Sequence, residues 1–404
     1  MTLRWLFLDL NSYFASVEQA INPALRGKPV AVVPMIAETT CCIAASYPAK
    51  KFGVKTGTSV RDARSLCPDI IFVKADHRKY TAYHRRIVAT VEKHLPINKV
   101  MSIDEMACEL IGREQNEDFV RTKARQIKDA IYRDVSPALT CSIGVAPNRY
   151  LAKVACDMQK PDGLTILHLH ELQEKLAELI PRDFSGIGAR MEARFNKLDC
   201  LTAKKMYEFS IEEMRDIWGG VLGERFWHLI RGENLEEEKT TRGTISHSKV
   251  LSPDKRSMTD AWPVAVRLLS KACMRLRDEE FYTKELWLSI KFMVRQKNMS
   301  YWDGHVRVNE TQDSILLTKE LEQIWLHIPP LKILRVGVIL SKLVPSTKHQ
   351  FSLFEDSKRA ALMSTLDRIN KRYRSNTLYV GSSQPEKDLS ASSIAFQRIP
   401  SEYE

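Results

Sequence analysis

"VMSIDEMACEL", residues Val100–Leu110, sets two adjacent acids into an apolar run. Met101 and Ile103 lead up to Asp104 and Glu105, and Met106 and Ala107 resume the apolar character behind them. This is how a core hairpin reads when its turn carries charge. Burying an unpaired charge costs several kcal/mol, so the pair demands either cationic side chains or a metal ion.

Working outward, "RWLFLDL" (Arg4–Leu10) reads as a strand that ends in Asp9. "SYFASVEQAI" (Ser12–Ile21) reads as a helix with Phe14, Val17 and Ile21 on one face. "KPVAVVP" is a further strand, and Tyr47–Pro68 reads as short basic helices broken by Gly53 and Gly57. A longer helix is expected from about Asp76 to His94, before the hairpin. Behind it, Val120, Ala124, Ile127 and Ile131 recur at spacings of 4, 3 and 4, an amphipathic helix. "ALTCSIGVA" is a strand and "NRYLAKVACDM" a helix. Leaving out a basic insertion from about Gly27 to Val73, the order is β-α-β-β-α-β, the ferredoxin-like split βαβ unit. The fold class is therefore α+β.

In such a sheet the first strand can lie beside the hairpin, so Asp9, Asp104 and Glu105 can converge at one edge. Three carboxylates with no histidine suit Mg²⁺ rather than zinc. Two such ions about 3.5–4 Å apart clamp an in-line phosphoryl displacement. The alternative is a surface hairpin whose acids pair with Lys or Arg, and spacing alone leaves both open.

The chain has 404 residues, enough for three or more domains, and a formal charge of +11, which favours a polyanionic partner. No apolar run approaches the roughly 20 residues of a membrane span, so no membrane partner is expected. The 8 cysteines show no C-x-x-C spacing, and a reduced, cytoplasmic chain is expected. After Gly163 the chain is helical, and "SGIGARMEARFNKL" places Gly186 and Gly188 before a basic helix start at Arg190. That fits a helix-hairpin-helix approaching a DNA phosphate, or a plain turn between helices. "RGENLEEEKTTRGT" is a linker, and a second β-α-β-β-α-β module follows with Lys and Arg interleaved along its strands. Those charges are either a solvated sheet face or a groove tracking a phosphate backbone. The end is polar except for "QFSLFED" and an amphipathic helix with Leu362, Leu366, Ile369 and Tyr373 on one stripe.

Five stretches carry a resemblance: "FLDLNSYFASVEQAINPALRGKPVAV", "AASYPAKKFGVKTG", "SIDEMACEL", "SIGVAPNRYLAKVACDMQKPDG" and "FSGIGARMEARF". In that order they resemble the motifs of Y-family (translesion) DNA polymerases, nearest the bacterial DinB and UmuC branches. The resemblance implies a right-hand architecture. Its parts would be a palm (1–26 and 74–165), inserted fingers (27–73), a helix-hairpin-helix thumb (166–234), a linker (235–244) and a little finger (245–343). A tail would occupy 344–404.

It further implies that Asp9 and Asp104 hold two Mg²⁺ ions, with Glu105 completing the site and the Leu10 carbonyl serving one metal. Tyr13 and Phe14 match nucleotide-binding positions, Phe14 being the steric gate that excludes a ribose 2′-hydroxyl. Tyr47, Lys50 and Lys160 match residues on the incoming triphosphate, and Gly186, Gly188 and Arg190 match DNA contacts. "QFSLFED" resembles a sliding-clamp peptide, with Gln350, Leu353 and Phe354 as anchors. The implied activity is low-fidelity, template-directed addition of a dNTP to a primer, and an activating subunit is a possible further partner, as in the UmuC branch. A non-catalytic, clamp-tethered relative on the same fold is the rival, and such relatives lack the acidic triad. Asn11, Ala44 and Lys50 depart from the commoner Asp, Thr and Arg.

Overall fold

The computed structural model describes residues 3–38, 40–236, 241–296, 299–350, 357–373, 377–379 and 381. These fall into two compact units, one ending by residue 236 and one beginning by residue 241.

In the first unit, strand β1 (Trp5–Leu10) is buried along all but its first residue, which is why it reads as a continuous apolar run. Helix α1 (Tyr13–Ile21) follows after a two-residue turn. Next comes a small sheet of its own: β2 (Val30–Val33) is flanked by β3 (Ala44–Ala45) and β4 (Ile71–Lys74). Short helices α2 (Tyr47–Lys51) and α3 (Val60–Leu66) cover it, each capped by a serine, Ser46 and Ser59. Val33, Ala49, Val60 and Ala63 form a separate core there.

Helix α4 (His77–Glu92) starts at the Asp76 cap and leads to β5 (Lys99–Val100) and β6 (Glu105–Glu109). Helix α5 (Glu117–Ala130), β7 (Cys141–Ala146), helix α6 (Arg149–Met158) and β8 (Leu164–Ile166) complete the layer. The main sheet has the order β5-β6-β1-β7-β8. Strand β1 runs antiparallel to both β6 and β7, the split βαβ arrangement, and β8 adds a parallel edge. Its register sets Asp9 directly opposite Glu105.

Helices α7 (Leu172–Leu176), α8 (Ala189–Asn196), α9 (Ala203–Met206), α10 (Ile211–Trp218) and α11 (Val221–Ile230) follow. They bury Phe184, Phe195, Met206 and Phe226 in a core shared with α6.

The second unit holds β9 (Thr244–Val250), α12 (Met258–Asp278), β10 (Phe281–Gln296), β11 (Met299–Thr311), α13 (Ser314–Trp325) and β12 (Ile333–Ser341). The element order repeats β-α-β-β-α-β, but the strands lie as β11-β10-β12-β9. The first strand is at an edge here rather than at the centre. Period-2 alternation drives Leu286, Leu288, Ile290 and Phe292 into the core against α12 and α13.

From residue 344 the chain continues as β13 (Val344–Pro345), which pairs with Phe281 and Tyr282. Helix α14 (Ser357–Tyr373) then packs back on the second unit. Its buried residues are Met363, Asp367 and Asn370, while Leu362 and Tyr373 of the apolar stripe are exposed. Leu366 and Ile369 of the stripe are half-buried, and the Arg277 guanidinium donates to both Asp367 oxygens, at 2.5 and 2.9 Å, tying the helix to α12. Among the described residues no helix is long and apolar enough to cross a membrane.

Candidate active site

The hairpin turn is held from three sides. Met101 N–H donates to the Glu105 carbonyl at 2.9 Å, and Leu10 N–H donates to the Asp104 carbonyl at 2.9 Å. His84, from α4, bonds the Ile103 carbonyl through Nδ1 at 2.7 Å. Asp9, Asp104 and Glu105 are thereby brought to one end of the central strand pair, as strand adjacency implied.

Two residues that the sequence reading passed over, Lys153 and Asp157, complete the cluster. Lys153 Nζ lies 2.5 Å from Asp9 Oδ2, 2.7 Å from Glu105 Oε1 and 3.1 Å from Asp157 Oδ1. Lys160 Nζ lies 2.7 Å from both Asp9 Oδ2 and Asp157 Oδ1. Lys153 and Asp157 share one face of α6 at i, i+4 spacing; a charged pair inside an otherwise apolar helix was the available signal. Gly144 makes this reach possible, because a Cβ there would stand 2.1 Å from the Ala152 carbonyl oxygen. Helix α6 therefore lies directly on β7.

The carboxyl groups are pulled in opposite directions. Burial acts to raise the Asp9 pKa, but the Lys153 and Lys160 charges and hydrogen bonds outweigh it and lower it. Burial pushes Asp104 up to about 6; the Ser102 hydroxyl opposes this, and the charges of Asp9 and Glu105 add to it. Ser102 Oγ donates to Asp104 Oδ1 at 2.5 Å.

Four carboxylates (Asp9, Asp104, Glu105, Asp157) share two ammonium groups (Lys153, Lys160), an excess of 4 − 2 = 2 negative charges when all are ionised. Like charges about 4 Å apart repel by about 4 kcal/mol at an effective dielectric of 20, so the excess favours added cations. Among the described residues no three acidic, histidine or cysteine side chains are already grouped as metal ligands. Lys153 and Lys160 hold Asp9, Lys153 also holds Glu105, and Ser102 holds Asp104. The paired-acid alternative is thus present for Asp9 and Glu105. The donor set, all hard oxygen with surplus negative charge, still fits divalent ions such as Mg²⁺.

Three sets of comparisons bear on this geometry. The profile of the impB/mucB/samB family matches residues 8–157, and that of the same family's C-terminal domain matches 242–353. DNA polymerase IV of Moorella thermoacetica is 32% identical, the match covering 93% of this chain and 94% of that protein. The chain belongs to the impB/mucB/samB family, the Y-family polymerases. DNA polymerase IV 1 of Bacillus subtilis, another relative, is 25% identical over 97% of this chain and 95% of its own length. Among solved structures, a Y-family DNA polymerase chimera of Dbh and Dpo4 aligns with TM-score 0.71 at 24% identity, covering 85% of this chain and 99% of that one. DinB from Sulfolobus solfataricus aligns with TM-score 0.55 at 24% identity, covering 84% and 98%; both show the fold.

In this family member the remaining predicted residues are distributed as follows. Phe14 is buried, its ring 4.5 Å from that of Tyr80 and edge-on to His77. Tyr13 faces the core, where its hydroxyl donates to the Tyr80 carbonyl at 2.6 Å.

Lys50 Nζ sits 4.5 Å over the Tyr47 ring. Burial and then the Lys160 charge lower the Lys50 pKa, and the Lys160 and Asp9 charges also act on Tyr47, so these groups are neighbours. Asn11 is a brace: its amide donates to Ser142 Oγ at 3.1 Å and its oxygen accepts from Asp162 N–H at 2.8 Å. Gly186 adopts φ +91°, Gly188 has open space where a Cβ would project, and buried Ile187 anchors the loop between them. Arg190 is exposed in the first turn of α8. Gln350 is exposed, and Leu353 and Phe354 lie outside the described residues.

Proposed function

We infer that the chain is a template-directed DNA polymerase of the translesion class, which joins a deoxynucleoside triphosphate to a primer 3′-hydroxyl. One observation carries the reading: Asp9, Asp104 and Glu105 converge with negative charge in excess at the end of β1 and β6. Two Mg²⁺ ions held by these carboxylates and the Leu10 carbonyl would stabilise charge on the α-phosphate and activate the primer hydroxyl.

The protein's own groups do the positioning. Lys160, Lys50 and Tyr47 would hold the triphosphate, Lys acting as a point charge for phosphate. The Phe14 ring, packed against Tyr80, would meet C2′ of the sugar and exclude a hydroxyl there. The main sheet with α1 and α4–α6 serves as palm and the small sheet as fingers. Helices α7–α11 serve as thumb, and the second unit as little finger on primer-template DNA. The Gly186–Gly188 loop would take a DNA phosphate on backbone N–H groups at the start of α8, with Arg190 beside it. Gln350, Leu353 and Phe354 would dock on a sliding clamp. The reading also assigns the protein to the cytoplasm, where such a template lies.

Primer extension with Mg²⁺ and dNTPs tests this. The wild type should extend a primer in template order, and Asp104→Ala with Glu105→Ala should lower the rate by about 10³-fold or more. An inert wild type, or a double variant that keeps its rate, removes the polymerase reading.

A further inference from the structure

Lys153 has no task in the scheme above, yet it is the most engaged cation of the site. Its stem rises from α6 beside β1, and its ammonium lies 5.3 Å over the Phe7 ring. Phe7 stands two residues before Asp9, on the same face of β1. From there the ammonium bridges the carboxylates of two adjacent strands, Asp9 on β1 and Glu105 on β6, and reaches Asp157 one turn along its own helix. Asp9 and Glu105 are also residues to which the proposed function gives divalent cations. One positive charge therefore already stands between two of the proposed ligands.

We propose that Lys153 is the resident counter-cation of the metal-free site, and that divalent cations bind by displacing its ammonium from Asp9 and Glu105 onto Asp157. Lys153 and Asp157 are then positioning residues that set metal affinity with opposite signs. Lys153 competes with the ion for the carboxylates. Asp157 gives the displaced ammonium a partner, so it is not left unpaired and half-buried when the ion enters. Lys160 leans on Asp157 as well, at 2.7 Å, so the same carboxylate also keeps Lys160 from neutralising Asp9 alone. The site holds itself together without metal and gives way to metal without leaving a bare charge. This rests on the metal reading of the proposed function.

The test is Mn²⁺ binding to the full chain, without DNA or nucleotide, read as free Mn²⁺ by electron paramagnetic resonance alongside thermal melting in EDTA. Lys153→Met keeps the stem over Phe7 and removes the charge. It should melt lower in EDTA, regain stability with Mn²⁺, and half-saturate at about tenfold lower Mn²⁺ than the wild type. Asp157→Asn should shift half-saturation the other way, to higher Mn²⁺. A merely structural Lys153 would lower melting equally with and without Mn²⁺ and leave half-saturation unmoved; that result overturns the proposal. Lys153→Gln and Asp157→Asn keep the question decidable if Lys153→Met does not fold, and two variants that shift in the same direction also overturn it. Asp9→Ala is the control: if Mn²⁺ binding ignores it, the metal reading itself falls and this proposal with it. If binding depends on Asp9 but not on Lys153, only this proposal falls.

Discussion

The two units use the same element order, β-α-β-β-α-β, and arrange it differently. In the first, the opening strand β1 lies between the hairpin strand β6 and β7. In the second, the opening strand β9 is at an edge, and the hairpin strand β10 takes the interior position beside β12. Among the described residues, only the first arrangement brings the end of the opening strand against the hairpin turn, and only there do acids from both meet.

One buried ion pair of the second unit contrasts with the first unit's cluster. The second unit's Arg277–Asp367 pair is matched one to one. The guanidinium also donates to the Gln312 carbonyl at 2.8 Å and to Ser314 Oγ at 2.9 Å, so little of its hydrogen-bonding capacity is left over. The first unit's cluster is unmatched, with more carboxylates than ammonium groups and pKa values driven apart. A saturated pair holds structure, whereas an unbalanced cluster is poised for a ligand.

The comparison breaks first at Asp367. Asp367→Ala leaves Arg277 buried and unpaired, and should destabilise the second unit by about 3–5 kcal/mol, releasing α14. Hydrogen exchange in α12 and α14 measures it, and exchange like that of the wild type would mean the pair does not anchor the helix. In the first unit the matching substitution acts on selectivity. Phe14→Ala, with Tyr80 intact behind it, should lower discrimination against ribonucleotides by about 10–100-fold in single-nucleotide incorporation, the scale of a lost apolar contact. Unchanged discrimination removes the gate role. The smallest effect concerns tethering. Leu353→Ala with Phe354→Ala should lose clamp-stimulated synthesis by about tenfold while basal synthesis stays the same. Equal stimulation of variant and wild type would reject the clamp motif.

Much of this was legible in the chain. Apolar runs locate β1, β6 and β7, the 3.6-residue period locates α5, and strand adjacency in a split βαβ unit brings Asp9 to the hairpin. The second unit's strand order was not legible, because a common element order is compatible with more than one pairing. Lys153 and Asp157 were hidden for a related reason. Their meeting with Asp9 depends on how closely α6 packs on β7, and a single glycine, Gly144, sets that distance. For α14 the apolar stripe left open what the helix packs on, and the contact that ties it to the second unit, Arg277 to Asp367, lies 90 residues away in sequence.

The most direct test of the catalytic assignment is single-turnover incorporation of one dNTP by Asp9→Asn, in Mg²⁺, on a primer-template the variant still binds. The substitution keeps the shape of the side chain and removes its charge. The rate should fall by about 10³-fold or more with DNA affinity retained. A rate within a few-fold of the wild type would contradict the account.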